Sequence, residues 1–121
     1  MIVGIGTDIV QIERLAQSLE KIRMRAFTPK ELAYAESFRD RAAHLAGRWA
    51  AKEALAKALG CGFGSKCSWL DIEVLNDDSG KPVMTLAGTA RETFTALGGK
   101  NIHLSISHEK DYATAFVILE D

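Results

Sequence analysis

The strongest constraint in this sequence is a helix that carries an acid on its apolar stripe. Residues 40–59, which end in RWAAKEALAKAL, are rich in alanine and other good helix formers, and Gly60 supplies a C-terminal stop. Ala42, Leu45, Ala46, Trp49 and Ala56 recur at helical spacing and mark the side that should pack against a core. At about 100° per residue, Glu53 stands only about 40° from Trp49 around the axis. A buried carboxylate must be protonated, paired or bound to a metal. Pairing with Lys57 one turn on is the ordinary alternative, but such pairs are normally solvated and weak. The small alanines beside Glu53 predict room for a ligand.

The rest of the chain must fold around this helix. With 121 residues there is material for one domain, residues 1–121, and too little for two good cores. IVGIG at 2–6 reads as a buried strand ending near Thr7 and Asp8, followed by a helix through Ile12, Leu15, Ala16, Leu19 and Ile22. TPKE at 28–31 has the form of a capping box, with Pro29 at the first helical position. After the long helix and a glycine loop, WLDIEVL and VMTL read as a hairpin closed by NDDSGKP. A short helix is predicted near 88–97. Ile102, Leu104 and Ile106 then alternate with His103, Ser105 and Ser107, and YATAFVILE follows as an apolar strand. This order predicts an α+β fold, a mainly antiparallel sheet with helices packed on one side. An exposed edge on the last strand would invite aggregation, so oligomerisation is expected.

Several function classes are disfavoured. The formal net charge is −1, which offers no general attraction to nucleic acid or to a membrane surface. No apolar run approaches spanning length. Cys61 and Cys67 are too few for a disulfide framework and read as reduced thiols of a cytoplasmic protein.

Asp8 has two readings. As an N-cap, with Gln11 three residues on, it would start the first helix, and local sequence favours this. As a ligand at the end of a buried strand, it would suit a hard cation such as Mg²⁺. Arg48, Lys52 and Lys57 are ordinarily snorkelling surface cations, yet beside two carboxylates they suit phosphate oxygens. The loop at 60–64 could add backbone N–H groups, although no Walker pattern is present. SISH at 105–108 is a row of hydrogen-bonding groups without a nucleophile elbow.

GIGTDIV, GRWAAKEALAKALG, GKP and SISH…YA, in that order, closely resemble the small bacterial trimeric type of the 4′-phosphopantetheinyl transferase superfamily. The resemblance covers almost the whole chain. It implies that fold, a homotrimer with sites between subunits, and Mg²⁺-dependent transfer of phosphopantetheine from coenzyme A to a serine of apo acyl carrier protein, in support of fatty acid biosynthesis. On the matching positions it implies Asp8 and Glu53 as Mg²⁺ ligands and, with Lys57, as the catalytic set. It places Lys57, Ser107 and His108 on coenzyme A phosphates, with Arg48 and Lys52 in the same motif. Arg14 matches a docking arginine for the acidic carrier, with Arg23 and Arg25 as helpers. EKIRMRAFTPKEL is shorter than the corresponding family stretch. Two rival classes use the same groups: a metal-dependent nucleotide pyrophosphohydrolase, and a non-catalytic oligomeric nucleotide-binding module.

Overall fold

The computed structural model describes residues 1–121. Its elements are β1 (Ile2–Gln11), α1 (Ile12–Ala26), α2 (Pro29–Glu36), α3 (Arg41–Leu59), β2 (Ile72–Asn76), β3 (Pro82–Leu86), α4 (Gly88–Ala96), β4 (Asn101–His108) and β5 (Tyr112–Glu120). A single 3-10 turn, Trp69–Asp71, leads into β2 where the sequence predicts strand.

Strand β1 runs on past its predicted end to Gln11, because every residue from Ile5 to Gln11 has an antiparallel partner in β5. Asp8 lies inside this strand, opposite Ala115. Gln11 takes the N-cap position of α1 without a side-chain cap bond, so Asp8 does not cap the helix. The TPKE motif behaves as predicted. Thr28 accepts the Glu31 N–H, and the Glu31 carboxylate accepts the Thr28 N–H.

β1 and α3 pack backbone against backbone. A Cβ on Gly4 would lie 2.3 Å from the Ala58 carbonyl oxygen, and one on Gly6 would lie 1.9 Å from that of Ala54. Glycine on the strand and alanine on the helix are what permit that approach. The alanines therefore do not clear space for a ligand, as the sequence suggested. Ala50, Ala51, Ala54 and Ala58 are buried in the core.

The strands form two small antiparallel sheets rather than one, ordered β1-β5-β4 and β2-β3. Ile72, Val74, Met84 and Leu86 of the β2-β3 hairpin join Leu55 and Leu59 of α3 and Phe94 of α4 in the main core. A second cluster unites Leu15 and Leu19 of α1 with Phe27, Ala35 and Leu45. β5 is the central strand of its sheet, in keeping with its apolar run, and so presents no exposed edge. The exposed apolar surface is instead a sheet face. Ile5, Ile9 and Phe116 point away from α3 and are 59%, 64% and 42% exposed. No helix is long and apolar enough to cross a membrane.

Candidate active site

The close contact of β1 with α3 brings Asp8 beside the C-terminal half of the long helix. A cavity of about 470 Å³ opens there, lined by Asp8, Arg14, Ile22, Trp49, Glu53 and Lys57. Lys57 Nζ donates to Asp8 Oδ1 at 3.1 Å and to the Thr7 carbonyl oxygen at 3.0 Å. The helical pair Glu53–Lys57 is thus replaced by a long-range one, and Glu53 faces the cleft without an ion-pair partner. Burial pushes the Glu53 carboxyl above its ordinary range, the charge of Asp8 adds to the rise, and Lys57 opposes it. Two neighbouring carboxylates, one short of compensation, form an all-oxygen donor set. That chemistry fits Mg²⁺, which takes one or two carboxylates and fills its shell with water and phosphate oxygens.

A second, smaller cleft lies across α3. Arg48 is roughly 140° from Glu53 and roughly 180° from Lys57 around the helix. This cavity, about 170 Å³, is lined by His44, Arg48, Asn76, Gly80, Pro82 and His108, among others. Arg48 is buried and held rigidly. Its Nε donates to the Val74 carbonyl at 2.9 Å, Nη2 to Asn76 Oδ1 at 2.6 Å and Nη1 to the His44 carbonyl at 3.5 Å. The guanidinium also lies over the Tyr34 ring at 4.6 Å. Three of its five N–H donors are thus engaged within the chain.

Ser107 and His108 part company here. Adjacent residues of a strand point to opposite faces. Ser107 sits with Ser105 and His103 on the exposed sheet face, opposite Thr114, whereas His108 borders the second cleft.

Lys52 reaches neither cleft. It is fully buried, and its ammonium donates to the Ala26 carbonyl and Glu31 Oε1, both at 2.7 Å, and to the Trp69 carbonyl at 3.1 Å. All three donors are engaged, so the phosphate contact predicted for Lys52 gives way to a tie between α3, the end of α1, α2 and the Trp69 turn. Glu31 completes the tie by accepting the Val74 N–H at 2.8 Å through its other oxygen. The loop after α3 is likewise committed: the N–H groups of Gly60, Cys61 and Gly62 all donate to the Ala56 carbonyl, and that of Gly64 to Cys67. They close the helix rather than cradle a ligand.

On α1, Arg14, Lys21 and Arg25 fall within roughly 20° of one line and are exposed. Arg23 lies on the opposite side, 3.9 Å from Glu20. Lys21, seven residues from Arg14, was not among the docking residues that the family resemblance implied.

Comparison with known proteins identifies the family. Residues 4–117 match the model of the 4′-phosphopantetheinyl transferase superfamily. The chain is 47% identical over 123 residues to the holo-[acyl-carrier-protein] synthase of Clostridium novyi, with 99% of this chain and 88% of that one covered. The structure of the Neisseria meningitidis holo-[acyl-carrier-protein] synthase superposes with a TM-score of 0.91 at 36% identity, covering 100% of both chains. That of the Bacillus anthracis synthase, in complex with CoA (3′,5′-ADP), gives 0.85 at 42% identity, covering 98% of this chain and 96% of that one. The chain belongs to the 4′-phosphopantetheinyl transferase superfamily. Over its full length it is similar to holo-[acyl-carrier-protein] synthases.

Proposed function

We propose that this chain transfers the 4′-phosphopantetheine moiety of coenzyme A to a serine of apo acyl carrier protein, leaving adenosine 3′,5′-bisphosphate and supporting fatty acid biosynthesis. The observation that carries the reading is the convergence of Asp8, Glu53 and Lys57 in one cleft bordered by Arg14. Asp8 and Glu53 would hold Mg²⁺, which when bound neutralises pyrophosphate charge and polarises the phosphorus under attack. Lys57, already directed at Asp8, is placed to stabilise charge that develops on the leaving phosphate. The carrier supplies the nucleophile: its serine Oγ bonds to phosphorus as the pyrophosphate bridge breaks, adenosine 3′,5′-bisphosphate leaves and the serine proton passes to solvent, so the enzyme needs no serine of its own. Positioning is then most of the catalysis.

The stripe of Arg14, Lys21 and Arg25 suits an acidic carrier, whereas Arg23 faces away from it. Arg48 and His108 are assigned to nucleotide phosphates. They lie across α3 from Asp8 and Glu53, which supports sites completed by a second copy. The exposed face of Ile5, Ile9 and Phe116 is the surface for that assembly, read as a homotrimer. Residues 1–121 act as one domain in this reading. Two free thiols support a cytoplasmic setting.

Release of adenosine 3′,5′-bisphosphate from coenzyme A tests the proposal. It should require both Mg²⁺ and apo carrier; release without carrier would establish the pyrophosphohydrolase instead.

A further inference from the structure

His44 stands at the first turn of α3 and enters none of the roles above. Phe38 stacks on its ring at 4.0 Å between centroids, and Tyr34 meets it edge-on at 6.0 Å. Its Nε2 lies 3.4 Å from Asp40 Oδ1, and its ring centre is 6.1 Å from that of His108. The imidazole is therefore held in place by α2 and by the segment before α3, and it borders the same cleft as Arg48 and His108.

We propose that His44 is a specificity residue for the phosphomonoester of coenzyme A, adding a proton-dependent cation to the cleft of Arg48 and His108. This rests on the assignment of nucleotide phosphates to that cleft. Coenzyme A presents two kinds of phosphate. Its pyrophosphate has no proton to lose near neutrality, and in the proposed reaction it belongs beside Asp8, Glu53 and Lys57. Its monoester loses a second proton near pH 6, as other phosphomonoesters do, and becomes a dianion. Arg48 offers one fixed positive charge, which is half of what a dianion needs. An imidazole whose charge appears in the same pH range supplies the other half.

The groups facing His44 are Asp40 before α3, Arg48 on α3, Tyr34 on α2 and His108 on β4. Burial holds the free imidazole below its ordinary range; Asp40 pulls it up, while Arg48 and His108 add to the depression. A dianion in the cleft reverses that balance, so coenzyme A binding takes up a proton. The gain in affinity is fully present below the free-state value and is lost as pH rises through the bound-state value.

The test compares coenzyme A with dephospho-coenzyme A, which lacks only the monoester, as substrates for carrier modification. KM for each is measured at about pH 6.5 and about pH 8.5 for the wild type, His44→Gln and His44→Phe. His44→Phe keeps the stack on Phe38 and removes the proton, so it serves if the glutamine variant does not fold. The wild type should prefer coenzyme A roughly tenfold more strongly at the lower pH, the scale of one charge-assisted hydrogen bond. Both variants should lose that added preference while their KM for dephospho-coenzyme A follows the wild type. Titration calorimetry in buffers of different ionisation enthalpy should show proton uptake in the wild type and less in either variant. The phosphate's own titration is common to all three proteins, so the difference between them isolates His44. Variants that keep the wild-type preference at both pH values would overturn the role of His44. Transfer from neither substrate by the wild type would overturn the proposed reaction itself.

Discussion

Gly6→Ala probes how the fold makes the site. The new Cβ would lie 1.9 Å from the Ala54 carbonyl oxygen and 2.8 Å from the Ala58 nitrogen. Both are backbone atoms of α3, so no rotamer change relieves the clash. Ordinary contact begins near 3.4 Å, which leaves the strand about 1.5 Å too close at that point. Overpacking on this scale costs about 1–3 kcal/mol, which for a chain of this size lowers Tm by roughly 5–15 °C. Asp8 is two residues further along the same strand, and β1 can retreat only by drawing it from Glu53 and Lys57. A misplacement of about 1 Å in a catalytic constellation costs on the order of 100-fold in rate. Thermal melting and the rate of carrier modification measure the two effects. Gly62→Ala is the control. Gly62 has φ 65° and nothing within 4 Å of an added Cβ, so that variant strains its own backbone by about 1–2 kcal/mol and should keep its rate. A Gly6→Ala protein with wild-type melting and full activity would refute the argument that glycine–alanine contact sets the geometry of the site.

Lys52→Met should cost about 3–5 kcal/mol in urea denaturation, because it strands the buried Glu31 carboxylate; the Glu31→Gln/Lys52→Met pair should recover part of it, and an undiminished single variant would contradict the buried tie. Glu53→Gln should lower transfer by at least about 100-fold at saturating Mg²⁺ without loss of fold. In chelator at neutral pH it should melt no lower than the wild type. Burial raises the Glu53 carboxyl, so the stability of its neutral form is lost as pH rises through that raised value, a loss glutamine does not suffer. The gap should close as pH falls, and a variant less stable than wild type at neutral pH would contradict that sign. Ile9→Lys with Phe116→Asp should reduce the particle mass seen by light scattering and abolish transfer, whereas an unchanged mass would exclude this face as the assembly surface.

The order of elements was legible because apolar spacing, the TPKE box and Gly60 are local signals, and local signals decide where helices begin and stop. The errors arose where one local pattern has two meanings. Asp8 and Gln11 have the spacing of a capping pair, but the pairing of Gln11 with Tyr112 extends the strand and removes Asp8 from the helix end. Alanines near Glu53 could mean ligand space or close approach, and the choice lies in Gly4 and Gly6, some fifty residues away. Lys52 looked like its neighbours in the motif. Its burial depends on Glu31, which serves at once as capping residue and counterion. Glu53 was legible as a misplaced acid on spacing alone, whereas its companion Asp8 came from family resemblance.

The central claim concerns what leaves the cleft attached to the carrier. Intact mass spectrometry of apo acyl carrier protein, incubated with this enzyme, coenzyme A and Mg²⁺, measures it directly. A gain of one phosphopantetheine, located on a serine, is the expected result. A carrier of unchanged mass would contradict the account, whether or not coenzyme A had been broken down.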